Sequence, residues 1–521
     1  MSHRMLLARV FLLSLSALPG IGGAVAQPGV TTDAATTIKK VSQTAVWAPA
    51  NAAQHKALSN ARRVDALFAK WASPTSPGAA VAVMQNGKII YSHGYGMASL
   101  EYGVPNTPTT VFDVASLSKQ FTAFAVLLLA QEGKLSLDDN IRKYLPEMHD
   151  FGTPITIREL LHHTSGLRDQ WGLLHLAGWR HDDVITEQDV LDLLWRQKEL
   201  NFAPGEQMLY SNTGYTLLAL IVTRVSGVPF SQFTQLRIFQ PLGMAHTHFQ
   251  DEYGNVIKNR AYSYDKDQDG AYKYVALSYS TVGPTGLFTD IEDMAKWDEN
   301  FYTGKVGGKD LIADLQLQGK LNSGRQISYA DGLNISRYRG LKTVSHDGGD
   351  AGYRAYILRF PDQHFSVIVL SNTGNMDPDD ISYNIADVYL AGYLGPKLGP
   401  VSAETPSLKT DTIDPKLTPD QLKDLAGEYY SEELAALFVV RAKDGHLSVR
   451  YPQGELDLRQ TAADQYVAEL PIGTLKFTRA SDGASNGFTI SVGRVRDLRF
   501  DKVTIAPTNL PMPKVPARKE H

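Results

Sequence analysis

The sequence predicts a mixed α/β chain: an antiparallel sheet flanked by helices, with an inserted helical subdomain, followed by a small antiparallel β-barrel. Three observations predict it. Two β-rich runs flank Asn86-Gly87, the strongest short hairpin signal, so the sheet starts antiparallel. A long, proline-free apolar helix opens at Ser116, and Gly133 stands where it should stop. After residue 395 the chain turns rich in Pro, Ser, Thr and Lys, and beyond that stretch short β-runs alternate with turns at regular spacing.

The 521 residues leave room for two or three domains and a substantial core. Hydrophobic content of 43%, charged content of 20% and a formal net charge of −4 lack the basic excess that nucleic-acid binding needs. Cysteine is absent, which excludes disulfides, thiolate metal sites and a cysteine nucleophile. Residues 1–26 read as a signal peptide. Arg4 and Arg9 begin it, Val10 to Leu18 is apolar, and Ala24-Val25-Ala26 forms a cleavage site before Gln27. The mature chain is expected in the periplasm or secreted. No stable membrane insertion is expected, because no other segment approaches the ~18 to 20 unbroken apolar residues of a span.

In chain order, residues 27–50 form a flexible leader, and the main domain is expected over residues 51–395. A helix from Ala52 to Trp71 sets Ala57, Leu58, Val64, Leu67 and Phe68 on one side. The hairpin at Asn86-Gly87 and the Ser116 helix follow. Leu135 to Asp139 and Ile155 to Leu161 read as pieces of a helical insertion, ahead of His162-His163-Thr164-Ser165-Gly166-Leu167. Adjacent helical residues point apart and no third ligand is near, so these histidines are expected to pack or hydrogen-bond rather than hold a metal. The same reading covers His246 and His248.

A Pro204-Gly205 turn leads to Tyr210-Ser211-Asn212 and an apolar helix from Tyr215 to about Val225. Asp265 to Gly270 imitates a calcium loop, but Ala276 stands where the bidentate carboxylate belongs, and the flanking tyrosines read as two strands of a hairpin. Gly283 to Thr289 turns into a helix from Asp290 to Phe301, capped by Thr289 or Asp290. Strands follow from Leu341 to the glycine pair Gly348-Gly349, from Tyr353 to Phe360 and from Phe365 to Leu370, then a helix from Asp379 to Leu390. Residues 396–418 read as a linker, 419–506 as a lipocalin-like barrel and 507–521 as a tail.

Ser116 and Lys119 stand three apart, on one helical face. A serine at a helix N-terminus beneath an amine is a candidate nucleophile, and the free N–H groups there favour an oxyanion. The bland alternative is a capping serine beside an ordinary lysine. Tyr210 and Asn212, two apart in an extended loop, can face one way as a candidate base and a candidate substrate anchor.

In order, Ser116-x-x-Lys119, Tyr210-x-Asn212 and His346-x-Gly348 resemble the motifs of the serine β-lactamase and penicillin-binding-protein superfamily, in its class C-like branch. Phe112 to Ser116, Gly133 to Asp139, Leu160 to Leu167 and Pro241 to Met244 also look like stretches of it. The resemblance implies a sheet sandwiched by helices, an active site beside the helical insertion, and no cofactor or metal. It implies Ser116 as the acylated nucleophile, with Lys119 assisting its deprotonation. Tyr210 would relay the proton and Asn212 anchor the substrate amide. His346 holds the place often given to a lysine, and the backbone N–H groups of Ser116 and Gly349 would form the oxyanion hole.

The third motif departs from the lysine-containing pattern. A histidine is charged only part of the time near neutral pH. Asp347, if it faces the cleft beside Gly348, repels a carboxylate; if it points away, only the His–Gly pair matters. This departure suits the esterase and D-aminopeptidase members. The expected activity is an exported serine hydrolase working through a Ser116 acyl-enzyme. Its substrate would be a small-molecule ester, a D-amino-acid-containing amide or peptide, or a cell-wall-derived compound. The alternatives are a class C-type β-lactamase or DD-carboxypeptidase, and a non-catalytic protein that binds penicillin or peptidoglycan.

Overall fold

Asn86 and Gly87 take φ of 51° and 72°, the left-handed values of a two-residue hairpin turn. Strands β1 (Ala79–Gln85) and β2 (Lys88–Tyr95) pair antiparallel across it. The computed structural model describes residues 52–180, 182–397 and 417–503. The expected signal peptide, leader, tail and most of the linker lie outside them. Four late strands complete the sheet: β3 (Asn334–Tyr338), β4 (Leu341–Asp350), β5 (Tyr353–Phe360) and β6 (Phe365–Ser371). The order is β3-β4-β5-β6-β1-β2, every pair antiparallel.

The helices that matter to the site are α1 (Ala52–Leu67), α2 (Ser118–Gln131), α3 (Ile157–Leu161), α4 (Gln170–Leu176), α5 (Glu187–Leu194), α6 (Asn212–Ser226), α7 (Ile291–Thr303) and α8 (Pro378–Tyr389). The central strands are buried on both faces, which is why Ala79 to Met84 reads as an unbroken apolar run. Val81, Val83, Leu358 and Val369 pack under Val64 of α1, Phe68 just after it, and Ile381 and Ile385 of α8. Ala80, Ala82, Ile357 and Ile368 face Phe121 and Phe124 of α2 and Met294 and Trp297 of α7.

Two sequence expectations need correction. The buried side of α1 runs through Asn60 and Val64 and on to Phe68, while Ala57 and Leu58 face solvent. Burial there follows the single four-residue stripe that meets the sheet. Strand β4 does not end at the glycine pair but runs on to Asp350, because Gly348 pairs with Ala355 and Gly349 with Arg354.

Helix α2 ends as the glycine signal predicts. Gly133 has φ 68°, its N–H donates to Ala130 O, and Lys134 N–H donates to Leu129 O at 3.0 Å, the paired bonds of a Schellman stop. Beneath α2, Arg359 of β5 forms a buried ion pair with Asp298 of α7 at 2.7 Å and stacks on Phe301 at 3.9 Å. Gln120 Oε1 of α2 accepts from Trp297 Nε1 at 2.7 Å, which ties the helix carrying Lys119 to this layer.

The C-terminal strands close into a barrel: β7 (Gly427–Ser431), β8 (Ala436–Lys443), β9 (His446–Tyr451), β10 (Gly454–Ala462), β11 (Gln465–Val467), β12 (Thr474–Arg479), β13 (Ser485–Val492) and β14 (Val495–Val503), with β14 pairing back to β7. Phe438, Phe488 and Phe500 stack in its interior with ring centroids 4.5 and 4.8 Å apart. The barrel sits on the helical insertion through a buried pair, Arg168 to Glu433 at 2.7 Å, and Arg168 Nε also donates to Arg496 O at 3.0 Å. Gly178 permits the close approach: a Cβ there would lie 2.5 Å from Pro452 Cβ. Among the described residues no single helix is long and apolar enough to cross a membrane.

Replacing Asp298 with alanine should leave the Arg359 guanidinium buried without its counter-charge, at a cost of roughly 3–5 kcal/mol. Denaturant unfolding measures it, and a loss below about 1 kcal/mol would contradict this account of the layer.

Candidate active site

The site is built where α2 begins. Val114 N–H donates to Leu287 O, and the Asp113 carboxylate accepts from Ala115 N–H at 2.7 Å. Between them Ala115 is held at φ 48°, a conformation that costs an L-residue of order 1 kcal/mol and persists only when its surroundings over-determine it. Ser116 follows in a single 3₁₀ turn, so its hydroxyl stands at the mouth of α2, a little ahead of the α-helix that the sequence places from Ser116 itself. Strand β4 presses against this turn: a Cβ on Gly348 would lie 2.2 Å from Val114 O. Gly349 meets only the flexible Arg354 side chain, at 3.6 Å or more, so the two glycines are not equivalent.

Lys119 is fully buried, and its ammonium is satisfied on three sides. It donates to Ser116 Oγ at 3.1 Å, Asn212 Oδ1 at 2.8 Å and Pro284 O at 2.9 Å. Burial pushes its pKa down to about 7, with Arg494 adding to the shift and Asp169 opposing it. An amine poised at neutrality 3.1 Å from a hydroxyl can accept that hydroxyl's proton.

Asn212 is the first residue of α6, and its orientation is set by Asp169. One oxygen of that carboxylate accepts from Asn212 N–H at 2.7 Å and from its Nδ2 at 2.9 Å. This forces the Asn212 carbonyl oxygen towards Lys119. Asp169, which also caps α4, is a site residue that sequence reasoning missed.

Tyr210 lies in the loop before α6, with Lys119 Nζ 4.7 Å from its ring centroid. Its hydroxyl is buried and makes no hydrogen bond of good geometry to a protein group. Burial raises its pKa well above the ordinary phenol value, although Ser116 lies near enough to oppose the shift. The loop rests on the segment His163 to Gly166. Asn201 N–H donates to Gly166 O, Gly205 N–H to Thr164 O, Leu209 N–H to His163 O and Ser211 N–H to His163 Nδ1. His163 is thus hydrogen-bonded, and its ring lies 4.2 Å from that of Tyr210. Burial and the Lys119 charge lower its pKa far enough to keep it neutral.

His346 is also buried. Its Nε2 meets the Tyr329 hydroxyl at 2.9 Å and its Nδ1 the Asp347 carbonyl at 2.6 Å. Burial lowers its pKa, so it brings no dependable cation to the third motif. Asp347 is 73% exposed in its side chain and is among the residues that border the cavity. Asp350 lies on the same wall and accepts from Thr285 Oγ1 at 3.0 Å; burial raises its pKa.

The cavity encloses about 600 Å³ and is bordered by Ser116, Tyr210, Asn212, Asp347 and Gly349, which brings residues from all three motifs together. One wall comes from a place the sequence reading passed over. Arg494, from the β13–β14 turn of the C-terminal barrel, reaches the cavity. Its guanidinium carbon lies 4.7 Å from the Tyr210 ring centroid and a nitrogen lies 3.8 Å from Asp169. Nothing local in Gly493-Arg494-Val495 announces this, since 284 residues separate the arginine from Tyr210 along the chain. Among the described residues, His246, Asp290 and Asp293 form a cluster of metal-ligand type. Its carboxylates are engaged by His246 Nδ1, Thr247 Oγ1 and Lys296 Nζ.

Residues 64–390 match the family model described as Beta-lactamase. Penicillin-binding protein 4* of Bacillus subtilis is 32% identical over 307 residues, covering 56% of this chain and 67% of that protein. A D-aminopeptidase of Gluconobacter oxydans is 27% identical over 313 residues, covering 60% of this chain; the chain spans 59% of that relative's length. The octameric penicillin-binding protein homologue from Pyrococcus abyssi superposes with a TM-score of 0.56 at 24% identity, over 85% of this chain and 99% of that one, and so shares its fold.

Two outcomes test this geometry. Gly348→Ala should cost roughly 1–3 kcal/mol through overpacking against Val114, whereas Gly349→Ala should be close to neutral; equal melting temperatures for the two variants would refute the contact. The Lys119 side chain should titrate near 7 by NMR, and Arg494→Gln should raise that value, because it removes a cation that opposes protonation. A downward shift or none would show that the arginine does not act on the site.

Proposed function

The chain belongs to the beta-lactamase family, and from that premise we propose that it is a serine hydrolase forming an acyl-enzyme at Ser116 on a small ester or a D-amino-acid-containing amide or peptide. The observation that carries the proposal is the Lys119 amine, 3.1 Å from Ser116 Oγ with a pKa near 7.

In this mechanism neutral Lys119 accepts the Ser116 proton as Oγ attacks the substrate carbonyl. The tetrahedral oxyanion is received by the backbone N–H groups of Ser116 and Gly349, each worth ~2.7–4 kcal/mol in comparable sites. Tyr210, kept protonated by burial, hands a proton to the departing oxygen or nitrogen and is replenished from Lys119. Water then enters, the same groups activate it, and the acyl group leaves Ser116. Tyr210 acts first as an acid in this scheme and not as a phenolate base, because its pKa is displaced upward while that of the lysine is displaced downward. Asn212 anchors both the Lys119 amine and the substrate amide.

Asp347 suits a substrate that carries an ammonium group near the scissile bond, as an aminoacyl amide does, and the likeness to D-aminopeptidases supports that choice. Arg494 favours a second reading, in which it holds a substrate carboxylate, as in a carboxypeptidase or a β-lactam hydrolase.

Ser116→Ala should end labelling by a fluorophosphonate and reduce hydrolysis of D-alanine p-nitroanilide by roughly 10⁴-fold or more. Unchanged turnover in that variant would sink the assignment. A clear preference for N-acetylated substrates, or fast nitrocefin turnover, would move the choice to the second reading.

A further inference from the structure

A second cavity, of about 730 Å³, lies beside the first, between the helical insertion and the barrel. Its surface is largely carbon: Trp179 comes from the insertion, and Leu470, Pro471 and Val492 from two barrel turns. His175, Arg180 and Arg494 border both cavities, so the two chambers share a wall and Ser116 stands in the first. Leu470 is 78% exposed at this rim, a large aliphatic side chain left in water next to a concave apolar surface. The chamber is preformed. Gln453 Nε2 of the barrel donates to Trp179 O at 2.7 Å, and the Gly178–Pro452 contact and the buried Arg168–Glu433 pair hold its two sides at fixed separation.

We propose that this second chamber receives an apolar extension of the substrate, aliphatic or aromatic, remote from the bond cleaved at Ser116. The enzyme then favours elongated substrates over the smallest ester or amide. The three residues common to both chambers set the second directly beside the site of Ser116, which points to part of the substrate as its occupant, and the carbon-lined walls point to its chemistry. The Arg180 and Arg494 side chains at the shared wall are about half exposed, so a chain lying along their apolar stems leaves their heads in contact with solvent. Each methylene transferred from water adds up to roughly fourfold in affinity, so a six-carbon extension leaves room for a large effect. This inference rests on Ser116 being the nucleophile.

Two homologous series test it: p-nitrophenyl esters from acetyl to octanoyl, extended on the acyl side, and D-alanine N-alkylamides from methyl to hexyl, extended on the leaving side. In one of them kcat/KM should rise at least tenfold from the shortest to the longest member. Leu470→Glu, at an exposed position, should cut that gain at least fivefold, through KM, and Trp179→Ala should do the same. A gain in neither series, or a Leu470→Glu loss shared equally by short and long members, overturns the second chamber while leaving hydrolysis of the short members to stand. If no member is hydrolysed, the Ser116 reading fails by itself. Calorimetric binding of D-alanine N-hexylamide to the Ser116→Ala variant then decides the chamber: weaker binding with Leu470→Glu added upholds it, and equal binding refutes it.

Discussion

Burial of the Lys119 ammonium is the constraint on which the site depends. An amine with no solvent access must be given partners by the protein, and here they are Ser116 one turn away and Asn212 and Pro284 from two distant parts of the chain. Each partner is itself held in place. Asn212 is oriented by Asp169, and Pro284 lies in a loop strapped to α2 by Thr122 Oγ1 on Gly283 O and Leu287 N–H on Ser118 Oγ. The cost of burying the charge is met by moving the pKa towards neutrality, which makes the amine useful as a proton acceptor. Structural demand and chemical capacity have the same physical origin.

Backbone contacts set the remaining geometry. Strand β4 approaches the serine turn closely enough that only glycine fits at 348, so the third motif and the first are joined by a steric contact as well as by their shared cavity. The segment from His163 to Gly166 supplies carbonyls and a ring nitrogen to four N–H groups of the loop that presents Tyr210 and Asn212. His163 therefore acts on the site through that loop, as a neutral acceptor. Burial likewise lowers the pKa of His346, and the cations at the cavity include Lys119, Arg180 and Arg494.

The barrel is a working wall of the cleft. Its glycine-seated, ion-paired contact with the helical insertion delivers Arg494 beside Tyr210 and encloses the second chamber. The cavity is thus bordered by groups of both charges, among them Asp347 from the sheet and Arg494 from the barrel.

Several features were legible in the residues themselves. Asn86-Gly87 announced the hairpin because a two-residue turn needs left-handed φ, and Gly133 announced the end of α2 for the same reason. The ordered trio of Ser116, Tyr210 and His346 pointed to one site through its resemblance to the three motifs of the family. What the sequence by itself determined was therefore the local conformations and the chemical kinds of group available. That Asp347 is exposed at the cavity rim, that Asp169 orients Asn212, that Lys119 is buried deeply enough for its pKa to be pushed down to about 7, and that Arg494 reaches the cavity were decided only by the tertiary structure. Orientation, burial and approach of distant segments arise from packing across hundreds of residues, and no short stretch of sequence encodes them.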